Sequence, residues 1–404
     1  MARVLLGGLT RSLAHAARLA RTARLLADDG HTPLLAGEPD WLAHPALRAP
    51  GPLHPLAEPP LAAVLAPAMG QASLRAEPAR FAAALAGDLA LIDALHPDLV
   101  IADNRRSLLA AAAARGLPSI AFTTANLLGP HFGVWPSWAL VEGVLGPAMG
   151  LPIGSALRPP GARDTDRVPL QAPPLSDAFA AVFAAHGLRP PDTVIALGLG
   201  ARTLLFDPPA LIPVLRPPPG VRVVGPLLPA LDAPVVPPPA GPGPLAVLSF
   251  GSTGDPSLLP LARDALLDAG FRVLVSAAPP AHPRVAGAPL LDMDAALAAA
   301  DLFVCHGGTL SVYHALAHGV PVLSVPAHVE QALTAVALLE NHLGLHLAAA
   351  AVRAEPPLLG DAARAALADP ALRARARAAA TTIDPGAAPA AIRATLAELL
   401  GAPP

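Results

Sequence analysis

Short apolar runs bounded by glycine, proline and aspartate alternate along the chain with longer stretches whose apolar positions recur every three or four residues. The runs Arg3–Leu6, His31–Ala36, Asp98–Ala102, Ser119–Phe122 and Arg202–Phe206 predict buried strands. Ser12–Asp29, Phe81–Leu95, Ser107–Arg115 and Ser176–His186 predict helices, the first closed by Gly30. Strands separated by helices imply an α/β chain with a doubly wound parallel sheet. Arg222–Pro229 closes this half, and residues 229–244, dominated by proline and glycine, predict a semi-rigid linker. The rhythm resumes with a strand from Leu245 that runs into the turn Ser249-Phe250-Gly251-Ser252-Thr253-Gly254. Helix Ser257–Ala269, strand Arg272–Ser276, helix Ala295–Ala300 and strand Leu302–Cys305 follow, and Ala387–Leu400 predicts a final amphipathic helix.

The densest signal lies at 301–331. Leu302–Cys305 is a strand, His306-Gly307-Gly308 a sharp turn, and Thr309 or Ser311 opens a helix. The free N–H groups and positive dipole end of such a helix suit a diphosphate. Gly319 ends that helix and Val320–Pro326 is the next strand. The turn through Ser249, Gly251 and Ser252 is a second place where backbone N–H groups can cradle phosphate.

Composition narrows the function classes. The chain has 404 residues, room for two domains of ordinary size, with formal net charge −3 and no basic stripe. Nucleic acid is therefore not an expected partner. All 27 basic residues are arginine and proline reaches 52, which reads as bacterial coding bias rather than function. One cysteine, Cys305, excludes an internal disulfide and a multi-cysteine metal site; it reads as a small core residue. The N-terminus suits a first strand better than an export segment. The uncharged stretch Leu117–Val141 is broken by prolines and glycines, so no stable membrane insertion and a cytoplasmic location are expected. Asp292-Met293-Asp294 precedes a short helix and reads as N-capping by Asp292 or Asp294 rather than a metal site; no metal or other cofactor is expected.

The ordered elements His306-Gly307-Gly308, Ser311, Ala315-Leu316, Gly319-Val320-Pro321, Pro326 and Glu330-Gln331 resemble the donor motif of glycosyltransferase family 1, nucleotide-sugar enzymes of the GT-B fold. The likeness is dense from 245 to 345 and thin from 35 to 95. It implies two Rossmann-like domains facing a cleft. Residues 1–228 would bind the acceptor and 245–384 the nucleotide sugar, with 229–244 as linker and 385–404 as a helix crossing back to the first domain.

The resemblance also implies roles. His15, 16 residues before His31, aligns with the family's catalytic base, and an imidazole titrates near neutrality. Read alone, it is a histidine packing beside the first helix turn. Asp103 ends the Asp98–Ala102 strand at the edge where α/β sheets bind ligands, so it is expected to support His15; capping the Ser107 helix is the alternative. His306, Gly307, Gly308, Thr309, Ser311, Ser249, Gly251 and Ser252 are expected on the donor phosphates, and Glu330 and Gln331 on the donor sugar. His314 stands where the family has its ribose-binding Glu, and Met293 replaces a Gln. These two nucleoside-side departures leave room for a dTDP as well as a UDP donor. Low charge and the aromatic residues Phe132, Trp135 and Trp138 suggest an apolar acceptor wall.

The expectation is thus an inverting, metal-independent transfer of a sugar to a small apolar acceptor such as a natural-product aglycone. Rivals are a lipid-intermediate sugar transferase of cell-wall assembly, a GT-B epimerase, and a degenerate GT-B binding or helper protein. The oligomeric state is not legible.

Overall fold

The computed structural model describes residues 1–58, 78–125, 137–146, 161–166, 174–193, 195–212, 217–229 and 231–401. Among these, two parallel sheets follow one another along the chain. The first contains β1 (Arg3–Gly8), β2 (Thr32–Gly37), β3 (Leu53–Pro55), β4 (Leu99–Asp103), β5 (Ser119–Thr123), β6 (Arg202–Leu205) and β7 (Val221–Val223), in the order β3-β2-β1-β4-β5-β6-β7. Its helices are α1 (Leu13–Asp28), α2 (Pro78–Leu95), α3 (Arg106–Ala114) and α4 (Asp177–Ala184).

The second sheet contains β8 (Leu245–Ser249), β9 (Arg272–Val275), β10 (Val285–Gly287), β11 (Leu302–Cys305), β12 (Val322–Ser324) and β13 (Gly344–His346), in the order β10-β9-β8-β11-β12-β13. It carries α5 (Leu258–Asp268), α6 (Met293–Ala298), α7 (Thr309–Ala317), α8 (Val329–Glu340), α9 (Ala349–Ala354), α10 (Pro357–Ala368) and α11 (Pro370–Ala380). The last helix, α12 (Ala387–Leu400), returns to the first sheet.

Central strands such as β4 and β8 are buried at every position, which is why they read as continuous apolar runs rather than alternating ones. Strand order reverses between β1 and β4 in the first sheet and between β8 and β11 in the second. Such reversals open a crevice at the carboxyl ends of the two strands. The first crevice holds the residues after Gly8 and Asp103, which face each other in register. The second holds those after Ser249 and Cys305, also in register. All the sequence-expected phosphate turns and both members of the expected dyad therefore sit at the two reversal points.

Contacts between the halves are apolar and continuous. Leu205, Leu211 and Ile212 from the first half share a core with Val312, Tyr313 and Leu316 of α7. Trp138, Val141 and Leu145 pack on Ala332, Ala335 and Val336 of α8. Residues 229–244 hold no helix or strand among those described, yet they are tied down: Asp232 pairs with Arg48, and Arg272 donates to the Pro239 carbonyl at 2.9 Å. Helix α12 seats Ala388, Ile392 and Leu396 in the core beside α1. Arg393 of α12 holds Asp29 at 2.7 Å, so the acidic end of α1 is paired.

Ile392 is fully buried in this contact. Ile392→Ala should cost about 2–5 kcal/mol, the usual loss for truncating a buried aliphatic side chain. Equilibrium denaturation checks this; a change under about 0.5 kcal/mol, the scale of an ordinary surface substitution, would show that α12 does not brace the first sheet.

Candidate active site

The base side is built on Gly8, Asp103 and α1. A Cβ on Gly8 would lie 2.8 Å from the Asp103 carbonyl oxygen and 2.9 Å from its Cβ, so only glycine lets β1 approach Asp103 this closely. Asp103 is fully buried. His15, in the first turn of α1, places Nδ1 2.8 Å from Asp103 Oδ1. Arg18, one turn further on the same helix face, donates from Nε to Oδ2 at 2.7 Å and from Nη2 to Oδ1 at 2.6 Å. Burial pushes the Asp103 carboxyl up, but the Arg18 charge and the His15 contact outweigh it and hold the group below the usual carboxylate range. The Arg18 guanidinium also lies over the Phe206 ring, 5.3 Å from its centroid. Asp98, just before β4, accepts from the Arg3 N–H at 2.7 Å at the opposite end of the strand from Asp103.

The donor side is a nest of glycine turns around one imidazole. Gly307 has φ +84°, and Gly251 has φ +56°, conformations that glycine adopts without strain. A Cβ at Gly251 would sit 2.7 Å from His306 Cε1. The His306 ring is buried, Nδ1 has no hydrogen-bond partner, and burial together with nearby His328 pushes its pKa down to about 4. Thr309 is the first residue of α7, so of the two candidate helix openers Ser311 lies inside the first turn. Gly308 is the N-cap and has no side chain to cap with, which leaves the first-turn N–H groups to the turn.

Ser249, buried at the end of β8, and Gly251 flank the same turn. Ser252 reaches across the halves: its Oγ accepts from the Leu13 N–H at the start of α1, at 3.3 Å. His15 lies two residues further along that helix, so the start of α1 and the Ser252 turn abut.

Gln331 is buried, and both ends of its amide are engaged. Oε1 accepts from the Ala327 N–H at 2.8 Å, and Nε2 donates to the Thr253 carbonyl at 3.1 Å. Its side chain thus ties the turn after β12 to the Thr253 turn after β8. Glu330, half-buried, precedes it in the first turn of α8. His314 on α7 is buried with Nε2 unpartnered, and its pKa is pushed down to about 4, by burial first. Met293 opens α6 and packs on the core shared by the two halves. Asp292 accepts from the Ala295 N–H at 2.9 Å and caps α6, while Asp294 pairs with His318 at 2.9 Å. Trp138 is buried against α8, while Phe132 and Trp135 lie outside the described residues.

The comparisons agree with this architecture. The glycosyltransferase family 28 C-terminal domain model matches residues 280–382. A PGL/p-HBAD biosynthesis glycosyltransferase of Mycobacterium tuberculosis (strain ATCC 25177 / H37Ra) is 28% identical over 368 residues, 85% of this chain and 80% of that protein. The calicheamicin glycosyltransferase CalG4 superposes with TM-score 0.69 at 21% identity, covering 99% of this chain and 98% of its own. The chain is a GT-B glycosyltransferase. The spinosyn rhamnosyltransferase SpnG, solved with thymidine diphosphate, has TM-score 0.68 at 19% identity over 98% of this chain and 99% of its own. Among the described residues of this glycosyltransferase, no helix is long and apolar enough to cross a membrane.

Two parts of the site escaped the sequence reading. Arg18 sits in a helix with arginines at 18, 21 and 24, a pattern that looks like a solvated stripe, yet it is buried. The available signal was its place three residues after His15. The second is Asp207, after β6, which accepts from the Tyr313 hydroxyl of α7 at 2.6 Å and from the Ala125 N–H at 2.7 Å. The pair links the donor helix to the first half.

Burial raises the Asp207 pKa to about 6, against hydrogen bonds from Tyr313 and Ala125 that lower it. A folded-state pKa above the unfolded one contributes stability that is full below about pH 4 and lost as pH rises through about 6. Asp207→Asn removes this term. Relative to the variant, the wild type should lose up to about 3 kcal/mol between pH 4 and pH 7, at 1.36 kcal/mol per unit. Denaturation of both proteins across that range checks it; a constant difference contradicts it.

Proposed function

We propose that this glycosyltransferase moves a sugar from a dTDP- or UDP-sugar to a hydroxyl of a small apolar acceptor, with inversion and without a metal ion. Residues 1–228 form the acceptor half, 229–244 the linker and 245–384 the donor half, and 385–404 cross back to the first. The carrying observation is the His15–Asp103 contact at one sheet reversal, abutting the donor turn of the other through Leu13 and Ser252.

His15 Nε2 takes the acceptor hydroxyl proton as the oxygen attacks the anomeric carbon. The bond from that carbon to the β-phosphate oxygen breaks, and its electron pair leaves with the nucleoside diphosphate. Attack from the face opposite the leaving group inverts the centre. The backbone N–H groups of Gly307, Gly308 and Thr309, the Ser311 hydroxyl, His306, and the Ser249, Gly251 and Ser252 turn receive the growing negative charge. Asp103 holds His15 in orientation. Glu330 and Gln331, at the start of α8, meet the donor sugar. His314 and Met293 line the nucleoside end. A single imidazole cannot accept from two ribose hydroxyls as a Glu does, so dTDP should bind at least as well as UDP. Trp138, with Phe132 and Trp135, contributes the apolar acceptor wall.

Nucleoside diphosphates should raise the melting temperature, because a ligand selective for the folded state stabilises it by mass action. No shift with millimolar UDP, dTDP or GDP would remove the donor site. His15→Ala should cut turnover by about 10²–10⁴ while nucleotide affinity holds. Full turnover in that variant would make His15 structural.

A further inference from the structure

Arg18, Asp103 and His15 form a closed triangle of polar contacts in which the arginine is the member that a simple His–Asp pair lacks. We propose that Arg18 is a positioning residue of the base: its guanidinium locks Asp103, which in turn holds His15 by Nδ1 and leaves Nε2 free. The inference rests on the reading of His15 as the base.

Both carboxylate oxygens accept from Arg18, and Oδ1 is shared with His15. His15 Nδ1 lies 2.8 Å from Oδ1 and 3.1 Å from Arg18 Nη2. Nδ1 must carry the proton, because an unprotonated Nδ1 would point its lone pair at the lone pairs of Oδ1. Arg18 Nη2, already donating to Oδ1, is then a close positive neighbour and not the ring's donor. Nε2 is left as the proton acceptor.

Charge explains why the arginine matters. A carboxylate alone beside an imidazole favours the imidazolium. Here the carboxylate is already neutralised by two guanidinium bonds, and the guanidinium itself stands against the ring. Asp103 therefore orients the ring, while Arg18 fixes the carboxylate that does so, from both of its oxygens.

The other ionisable groups turned towards Arg18 are Asp207, beyond β6, and Tyr313, on α7; both favour its charged state. The cation is fixed by the Phe206 face as well as by Asp103. Its side chain is only 10% exposed, so solvent screens it little.

The test is NMR of the full chain labelled with ¹⁵N-histidine, with His15→Ala assigning the resonance. The wild-type ring should carry its proton on Nδ1 at about pH 8. In Arg18→Gln the carboxylate loses its guanidinium bonds, so the ring proton should spread over Nδ1 and Nε2 and kcat should fall about 10-fold or more while nucleotide affinity holds. Arg18→Lys, which keeps a donor to the carboxylate, should fall less. A wild-type ring protonated on Nε2, or an Arg18→Gln protein with the wild-type tautomer and full turnover, overturns the proposal. The wild-type tautomer needs no variant, so it decides even if Arg18→Gln folds poorly. If His15→Ala keeps full turnover, the base assignment falls, whereas the tautomer still judges Arg18.

Discussion

A carboxylate taken wholly out of water costs several kcal/mol unless charge and hydrogen bonds replace its hydration. Asp103 is such a group, and much of the first half is arranged around meeting its demand. Gly8 has no Cβ, so β1 can lie against it. Helix α1 must dock at the rotation that brings both His15 and Arg18 to the carboxylate. A slip of one residue would turn that face by about 100°, at 3.6 residues per turn, and leave a buried charge unpaired. The same demand thus sets the register of α1 and the position of His15.

The two reversal points are then brought together by contacts of different kinds. An apolar core spans the halves, Trp138 packs on α8, and the Tyr313 hydroxyl reaches Asp207. At the cleft itself the start of α1 meets Ser252. Donor turn and base helix therefore share a surface whose geometry is fixed by core packing on either side, while α12 braces α1 from behind. Gln331 ties the turn after β12, at Ala327, to the Thr253 turn after β8.

Much of this was legible because its causes are local. Central parallel strands announce themselves as apolar runs, and the glycine turns at 251 and 306–308 stand out in sequence. His15 and Asp103 were reachable from motif likeness and from the position of Asp103 at a strand end; the structure places them in contact, while their roles remain the proposal made above. Strands β3, β7, β10 and β13 were missed, since three residues carry no period. Arg18 was missed because a buried arginine and a solvated one look alike until the partner carboxylate is placed. The Tyr313–Asp207 contact joins residues 106 apart and leaves no local trace. The helix at Met293–Ala298 begins earlier than the apolar pattern suggested because the Asp292 side chain caps it. Of the aromatic residues assigned to the acceptor wall, Trp138 is seated on the donor helix α8, a contact that composition could not reveal.

The central claim is that one site is made from both reversal points, with the leaving diphosphate at the start of α7 and the base opposite it. A crystal structure of the full chain with dTDP or UDP tests this most directly. The account predicts phosphate oxygens within hydrogen-bond reach of the His306 ring and the first N–H groups of α7, with His15 Nε2 turned towards them across the cleft. A nucleotide bound elsewhere, or His15 turned away from a diphosphate seated at α7, would contradict it.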